Sequence, residues 1–91
     1  MDNEQKLKIL KADLQMLTSS NDEYLTALLS FSEKEIQREC ITLIEDDLEC
    51  DMAVIHYAAY LFRKRASGSD TRMPRYLRYE LNNLLFSQKG R

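Results

Sequence analysis

The apolar positions of this chain recur at intervals of three and four residues, in stretches separated by short polar joints. Leu7, Leu10, Leu14 and Leu17 form the first stripe. It predicts a helix from Asn3 to about Leu17, with Lys6, Lys8, Lys11 and Asp13 facing out. Ile9 and Met16 lie off that stripe and imply a second contact surface. The small polar run Thr18-Ser19-Ser20-Asn21 stops this helix. Ser20-Asn21-Asp22-Glu23 reads as a capping box that opens the next one. The second helix is predicted from about Asn21 to about Glu39. Its stripe is Leu25, Leu28, Leu29, Ile36 and Cys40, widened by Tyr24, Ala27 and Phe31, with Lys34, Glu35, Arg38 and Glu39 outside. Residues 41–44, Ile-Thr-Leu-Ile, have strand-like composition. A single run of this kind cannot build a sheet, so it is read as an extended connector pinned to the core.

The most apolar stretch is residues 52–62, Met-Ala-Val-Ile-His-Tyr-Ala-Ala-Tyr-Leu-Phe, with no glycine, no proline and no formal charge apart from His56. A bilayer span needs roughly 20 apolar residues, so no membrane contact is expected. Ala53, Ala58 and Ala59 favour helix over a buried strand. Acidic residues precede the stretch and Arg63-Lys64-Arg65 follow it, the charge order that a helix dipole rewards. The pattern predicts a helix over about 47–66, apolar around most of its girth, with Asp46 and Glu49 in capping-box register. Pro74 fits a first helical position and opens a last helix to about Phe86, with Leu77, Leu81, Leu84 and Leu85 on one face. Tyr76, Arg78, Tyr79 and Glu80 flank that face, and residues 87–91 are expected to fray. The fold class that follows is all-α: one domain, 1–91, a small bundle of four helices around the central apolar one. Its core should hold Leu28, Ile36, Val54, Ile55, Ala58, Leu61, Phe62, Leu77 and Leu81.

Composition sharpens this picture at four points. The chain is 91 residues long and 44% hydrophobic, one domain near the lower limit for folding without staples. Cys40 and Cys50 match no zinc or redox spacing, and are expected as reduced, half-buried thiols. The first residues show no basic-plus-apolar leader, so no secretory signal is expected. Net charge is −2, but residues 1–61 carry 5 basic and 13 acidic side chains and residues 62–91 carry 8 and 2. One part is therefore −8 and the other +6, a polarity suited to head-to-tail packing of copies or to a polyanion.

Candidate chemistry is sparse. His56 has Met52, Ala53, Ala59 and Tyr60 at helical spacing, none of which ligates or orients an imidazole, so a hydrogen-bonded histidine at the core edge is expected. The cluster Glu45, Asp46, Asp47, Glu49 and Asp51 lacks the glycine and ligand order of a calcium loop and suits a helix start. Ser19 and Ser20 lie on a cap without a nucleophile elbow, and there is no phosphate-cradling glycine loop. No enzyme activity, cofactor or metal is expected. Arg63, Lys64, Arg65, Arg72, Arg75 and Arg78, interleaved with Tyr76 and Tyr79, fit three uses: a solvated face, a phosphate-backbone patch in a helix-turn-helix-like regulator, or a protein interface.

The order of signals bears on that choice. A leucine-striped helix is followed by Ser-Ser-Asn-Asp-Glu opening a helix that ends Ile-Gln-Arg-Glu. A central helix closes in Leu-Phe-Arg-Lys-Arg, and the chain ends in Met-Pro-Arg-Tyr-Leu-Arg-Tyr-Glu-Leu-Asn-Asn-Leu-Leu-Phe. This resembles the small head–tail connector (adaptor) proteins of tailed bacteriophages and prophages, some of them described as DNA-packaging proteins. Residues 61–65 and 73–86 carry most of the likeness. One departure is Cys40, where this type is expected to have a glycine closing the second helix. The resemblance implies a structural role: a ring of about twelve copies, docked between the capsid portal and a tail or stopper protein, with DNA passing through. It implies a place at the head–tail junction of a virion, or in the bacterial cytoplasm as a prophage product. The charge split then suggests a subunit contact in which Arg63, Arg65, Arg75 and Arg78 of one copy face Glu45, Asp46, Asp47, Glu49 and Asp51 of the next.

Overall fold

The computed structural model describes residues 2–15, 21–67 and 72–89. Four helices, α1 (Asn3–Asp13), α2 (Asp22–Arg38), α3 (Leu48–Ser67) and α4 (Arg75–Lys89), make an all-α bundle, with no strand among the described residues. The apolar stretch lies within α3, and α3 touches each of the other three helices. Helices α1 and α2 also pack on each other, whereas the main contact of α4 is with α3. Ala53, Ala58 and Ala59 are fully buried beside Val54 and Ile55. Small side chains around the girth of α3 let neighbours approach from several sides, as expected of a central helix.

The helix ends depart from expectation, each for a local reason. At α1 the Asp2 carboxylate accepts from the Gln5 amide at 2.8 Å, a side-chain N-cap. The helix stops at Asp13 rather than Leu17 because Gln15 takes a left-handed backbone, φ 59°. Met16, Leu17 and the Thr-Ser-Ser run lie outside the described residues, as does the Ser20 arm of the predicted capping box. Asn21 occupies the N-cap of α2, without a side-chain cap bond. Cys40 follows α2 at φ 67° and donates its amide to the Gln37 carbonyl at 3.1 Å. It takes the left-handed stop that usually falls to glycine.

The predicted pairing of Asp46 with Glu49 at the start of α3 is replaced by Asp47. Its carboxylate accepts from the amides of Glu49 (2.9 Å) and Cys50 (3.3 Å). Asp46 lies instead at φ 61° in a turn closed by the Asp47 amide on the Ile44 carbonyl, 3.2 Å. Pro74 precedes α4 rather than starting it, and its carbonyl accepts from Leu77 and Arg78 at 3.1 Å each. The expected fraying of residues 87–91 is corrected for 87–89, while Gly90 and Arg91 lie outside the described residues. Helix α4 runs to Lys89, and the Gln88 amide group brackets Thr42, accepting from its N–H at 2.7 Å and donating to its carbonyl at 2.6 Å. That clasp ties the end of α4 to the extended connector, where Ile41 is buried and Leu43 half-buried.

Of the predicted core, Ile36, Val54, Ile55, Ala58, Leu77 and Leu81 are buried, joined by Leu10, Leu25, Leu29 and Tyr57. Leu28, Leu61 and Phe62 pack at its rim, half-buried. Phe31, read as part of the α2 stripe, is 50% exposed. The true register is Leu25, Leu29, Ser32 and Ile36, and the buried Ser32 hydroxyl donates to the Leu28 carbonyl one turn back at 2.7 Å. Lys6, expected outside, is half-buried with its ammonium 3.5 Å from Glu33 and 3.7 Å from Asp51. Its aliphatic stem covers apolar surface while the charge meets carboxylates from α2 and α3. The cysteines are both free, Cys50 buried and Cys40 exposed, rather than both half-buried.

Candidate interaction surface

The two charge sets singled out in the sequence separate, on folding, into groups engaged within the chain and groups left outward. Arg78 sits on the flank of α4 that faces the end of α2. Its guanidinium donates to both oxygens of Glu39, at 2.7 and 3.3 Å. These bonds are the main reason it holds its proton more firmly than an ordinary arginine. Glu39 is thus a bridge between helices, not part of an outer face. Arg63, near the end of α3, reaches back to Asp13 at the end of α1, donating to its carbonyl (3.1 Å) and its carboxylate (3.3 Å). Arg65 lies over the Tyr24 ring at 4.6 Å and Lys64 over Tyr60 at 5.9 Å, both cation–π arrangements. Arg72 and Arg75 are exposed, and among the described residues neither has an ion-pair partner.

The acidic set divides in the same way. Asp47 caps α3, and Asp51 is buried beside Lys6. Asp46 forms the turn. Glu45 and Glu49 are exposed and without an ion-pair partner among the described residues. The free remainder is therefore Arg72 and Arg75 at the start of α4, and Glu45 and Glu49 at the start of α3.

His56 projects from α3 toward α4, where its Nδ1 lies 2.8 Å from a Glu80 carboxylate oxygen, with Tyr76 edge-on at 5.7 Å between ring centres. The expected hydrogen-bonded histidine is present. Its orienting partner could not be read from helical spacing because it comes from another element. Among the described residues no group of three or more His, Cys, Asp or Glu side chains is placed to hold a metal ion.

Beside the His56–Glu80 pair runs an open groove between the first half of α3 and the second half of α4. Leu48, Met52 and Leu84 supply its apolar surface, and Glu49, His56, Glu80 and Asn83 its polar edges. It continues past Leu48 toward Ser87 and Gln88. Leu48 is 64% exposed. On α4 a second apolar surface is formed by Tyr79 (65% exposed) and Phe86 (68% exposed), two turns apart. Sequence reading missed Leu48 and Phe86 as surface features, because at either end of an apolar stripe they resemble core. No protein-family model, curated protein or solved structure matches this chain.

Proposed function

We propose that this chain is a structural head–tail connector of a tailed bacteriophage or prophage. In this reading it forms a ring of about twelve copies between the capsid portal and a tail or stopper protein, with DNA passing through the bore. The resemblance of residues 61–65 and 73–86 motivates the reading. The observation that carries it is the unsatisfied remainder of the charge split. After folding has used Arg63, Arg78, Asp47 and Asp51 internally, cations at the start of α4 and carboxylates at the start of α3 still face outward. Complementary charge of this kind sets orientation and encounter rate between subunits. The test is to mix the purified chain with portal oligomers and look for a ring seated on the portal by electron microscopy and sedimentation. Bound rings are the expected result. A chain that stays free of the portal at both low and physiological salt overturns the reading.

A second reading, a small helix-turn-helix-like DNA-binding regulator, is favoured by one feature: Arg72, Arg75, Tyr76 and Tyr79 are all exposed around the start of α4. A regulator reads base edges and keeps its operator at moderate salt. A connector touches DNA without sequence preference, and that binding collapses as salt rises. Selection from random duplex DNA at physiological salt separates them, since one enriched motif would establish the regulator and discard the connector.

A further inference from the structure

We infer that the α3–α4 groove is the receiving half of a head-to-tail contact whose inserting half is the Arg75–Tyr79–Phe86 face of α4 on a second copy of this chain. The inference deepens the connector reading and rests on it only for the closure of copies into a ring.

Three observations meet here. The groove offers exposed Leu48 beside Met52 and Leu84, with the free carboxylate of Glu49 at its edge. The outer face of α4 offers exposed aromatic rings at Tyr79 and Phe86, with the free guanidinium of Arg75 one turn before Tyr79. At 100° per residue, Arg75, Tyr79 and Phe86 cluster on one face of the helix, and Glu80, Asn83 and Ser87, which line the groove, cluster on the adjacent face roughly a quarter-turn away. One α4 can therefore present its aromatic face to one neighbour while its groove side receives another. Contacts of that heterologous kind form rings where the rotation between copies closes and filaments where it does not, whereas a self-complementary patch stops at a dimer.

Charge selects this occupant. The groove is edged by Glu49 and Glu80, and its single basic-capable member, His56, is already engaged by Glu80. An acidic edge around apolar surface fits an apolar insert flanked by a cation. Tyrosine and arginine are, with tryptophan, the side chains enriched where contacts carry most of their energy. Arg75 set on Glu49 places Tyr79, about 6 Å further along α4, over Leu48 and Met52.

Cross-linking between separately marked copies tests this. In a Cys40→Gly background, which removes the exposed native thiol, Leu48→Cys is introduced in one preparation and Tyr79→Cys in another. Both positions are exposed, so the fold should tolerate them, and a thermal melt checks that. On mild oxidation at high protein concentration, the mixture should give several-fold more disulfide-linked dimer than either preparation alone. Arg75→Glu in the Tyr79→Cys chain should reduce that yield, and Glu49→Arg in the Leu48→Cys chain should recover it. Equal linkage in the mixture and in the separate preparations overturns the contact. So does a yield indifferent to both charge changes. Portal binding is measured separately. Cross-linking without it removes the connector reading and leaves this contact standing, and portal binding without cross-linking does the reverse.

Discussion

Cys40 holds a left-handed backbone at φ 67° while its side chain points to solvent, so nothing at that position repays the clash of its Cβ. A left-handed conformation costs an ordinary residue about 1–2 kcal/mol, and glycine escapes most of that while losing more freedom on folding. Cys40→Gly should therefore stabilise the chain by roughly 0.5–1 kcal/mol, read as a higher urea midpoint with unchanged slope. Cys40→Val should lower the midpoint. An expectation of glycine at this position came only from the resemblance to connector proteins, whereas the apolar pattern alone placed Cys40 on the α2 stripe. The left-handed backbones of Gln15 and Asp46, at φ 59° and 61°, were not legible: glutamine gives no sign of that conformation, and aspartate, although it tolerates it, stood in an acidic run read as a helix start. Nor was the inward turn of Lys6, which depends on carboxylates brought by two other helices. Two buried groups also set an alkaline limit. Burial pushes the Cys50 thiol above its ordinary 9.0, and burial with the Glu35 and Glu39 carboxylates pushes the Tyr57 phenol above 10.0. The folded state then holds these protons more tightly than the unfolded one, so stability falls as pH rises past those values. It is undiminished below pH 9.0 as far as these two groups are concerned. Denaturation followed across alkaline pH should show this decline, and Tyr57→Phe should flatten its upper part.

At the scale of elements, α3 is the helix on which the others depend. Ala58 is fully buried at its middle, and proline there removes a backbone bond and clashes with the preceding turn. The cost of about 3 kcal/mol or more is a large share of a total near 5–15 kcal/mol. Added loss of packing should leave Ala58→Pro unfolded by circular dichroism and thermal melt. The end of α4 depends on something more remote. Gln88 holds both backbone groups of Thr42, so Gln88→Ala should speed hydrogen exchange at Thr42 and through the last turn of α4. The amides of α3 should exchange as before. These two cases explain why helix interiors were legible and ends were not. An interior is set by the three-and-four repeat of its own residues, as in Leu77, Leu81 and Leu84. The end of α4 is set by a partner 46 positions away in sequence, and the start of α3 by a choice between neighbouring aspartates. In α2 the register slipped locally because Phe31 is the more apolar residue, yet Ser32 continues the spacing of Leu25 and Leu29.

For the whole molecule, the charge split was legible as a total but not in its assignment. Counting residues showed an acidic and a basic part. It could not show that Arg78 is taken up by Glu39, Arg63 by Asp13, and Asp51 by Lys6, because those pairings join helices far apart in the chain. The distinction changes which charge reversals report on assembly. Arg78→Glu would set a carboxylate against Glu39 between α4 and α2, replacing a two-pronged attraction by repulsion. Partly exposed pairs contribute little, with exposed ones near 0–1 kcal/mol, and two-pronged arginine pairs lie toward the stronger end. Arg78→Glu should therefore lower the melting temperature by a loss on the order of 1 kcal/mol, so any weakening of assembly in that variant would mix a change in the fold with a change at a subunit contact. Glu39→Arg added to Arg78→Glu restores the attraction with its sign reversed and should return most of the lost stability. Among the described residues Arg75 has no such partner, and a carboxylate at the first residue of α4 suits the helix dipole, so Arg75→Glu should not lower the melt and should act where copies meet. Equal melts for Arg75→Glu and Arg78→Glu would place both arginines outside the fold's internal pairing, as would a double variant no more stable than Arg78→Glu alone. Different melts, with recovery in the swapped pair, would make Arg75 and Glu49 the positions at which assembly can be altered while the bundle stays intact.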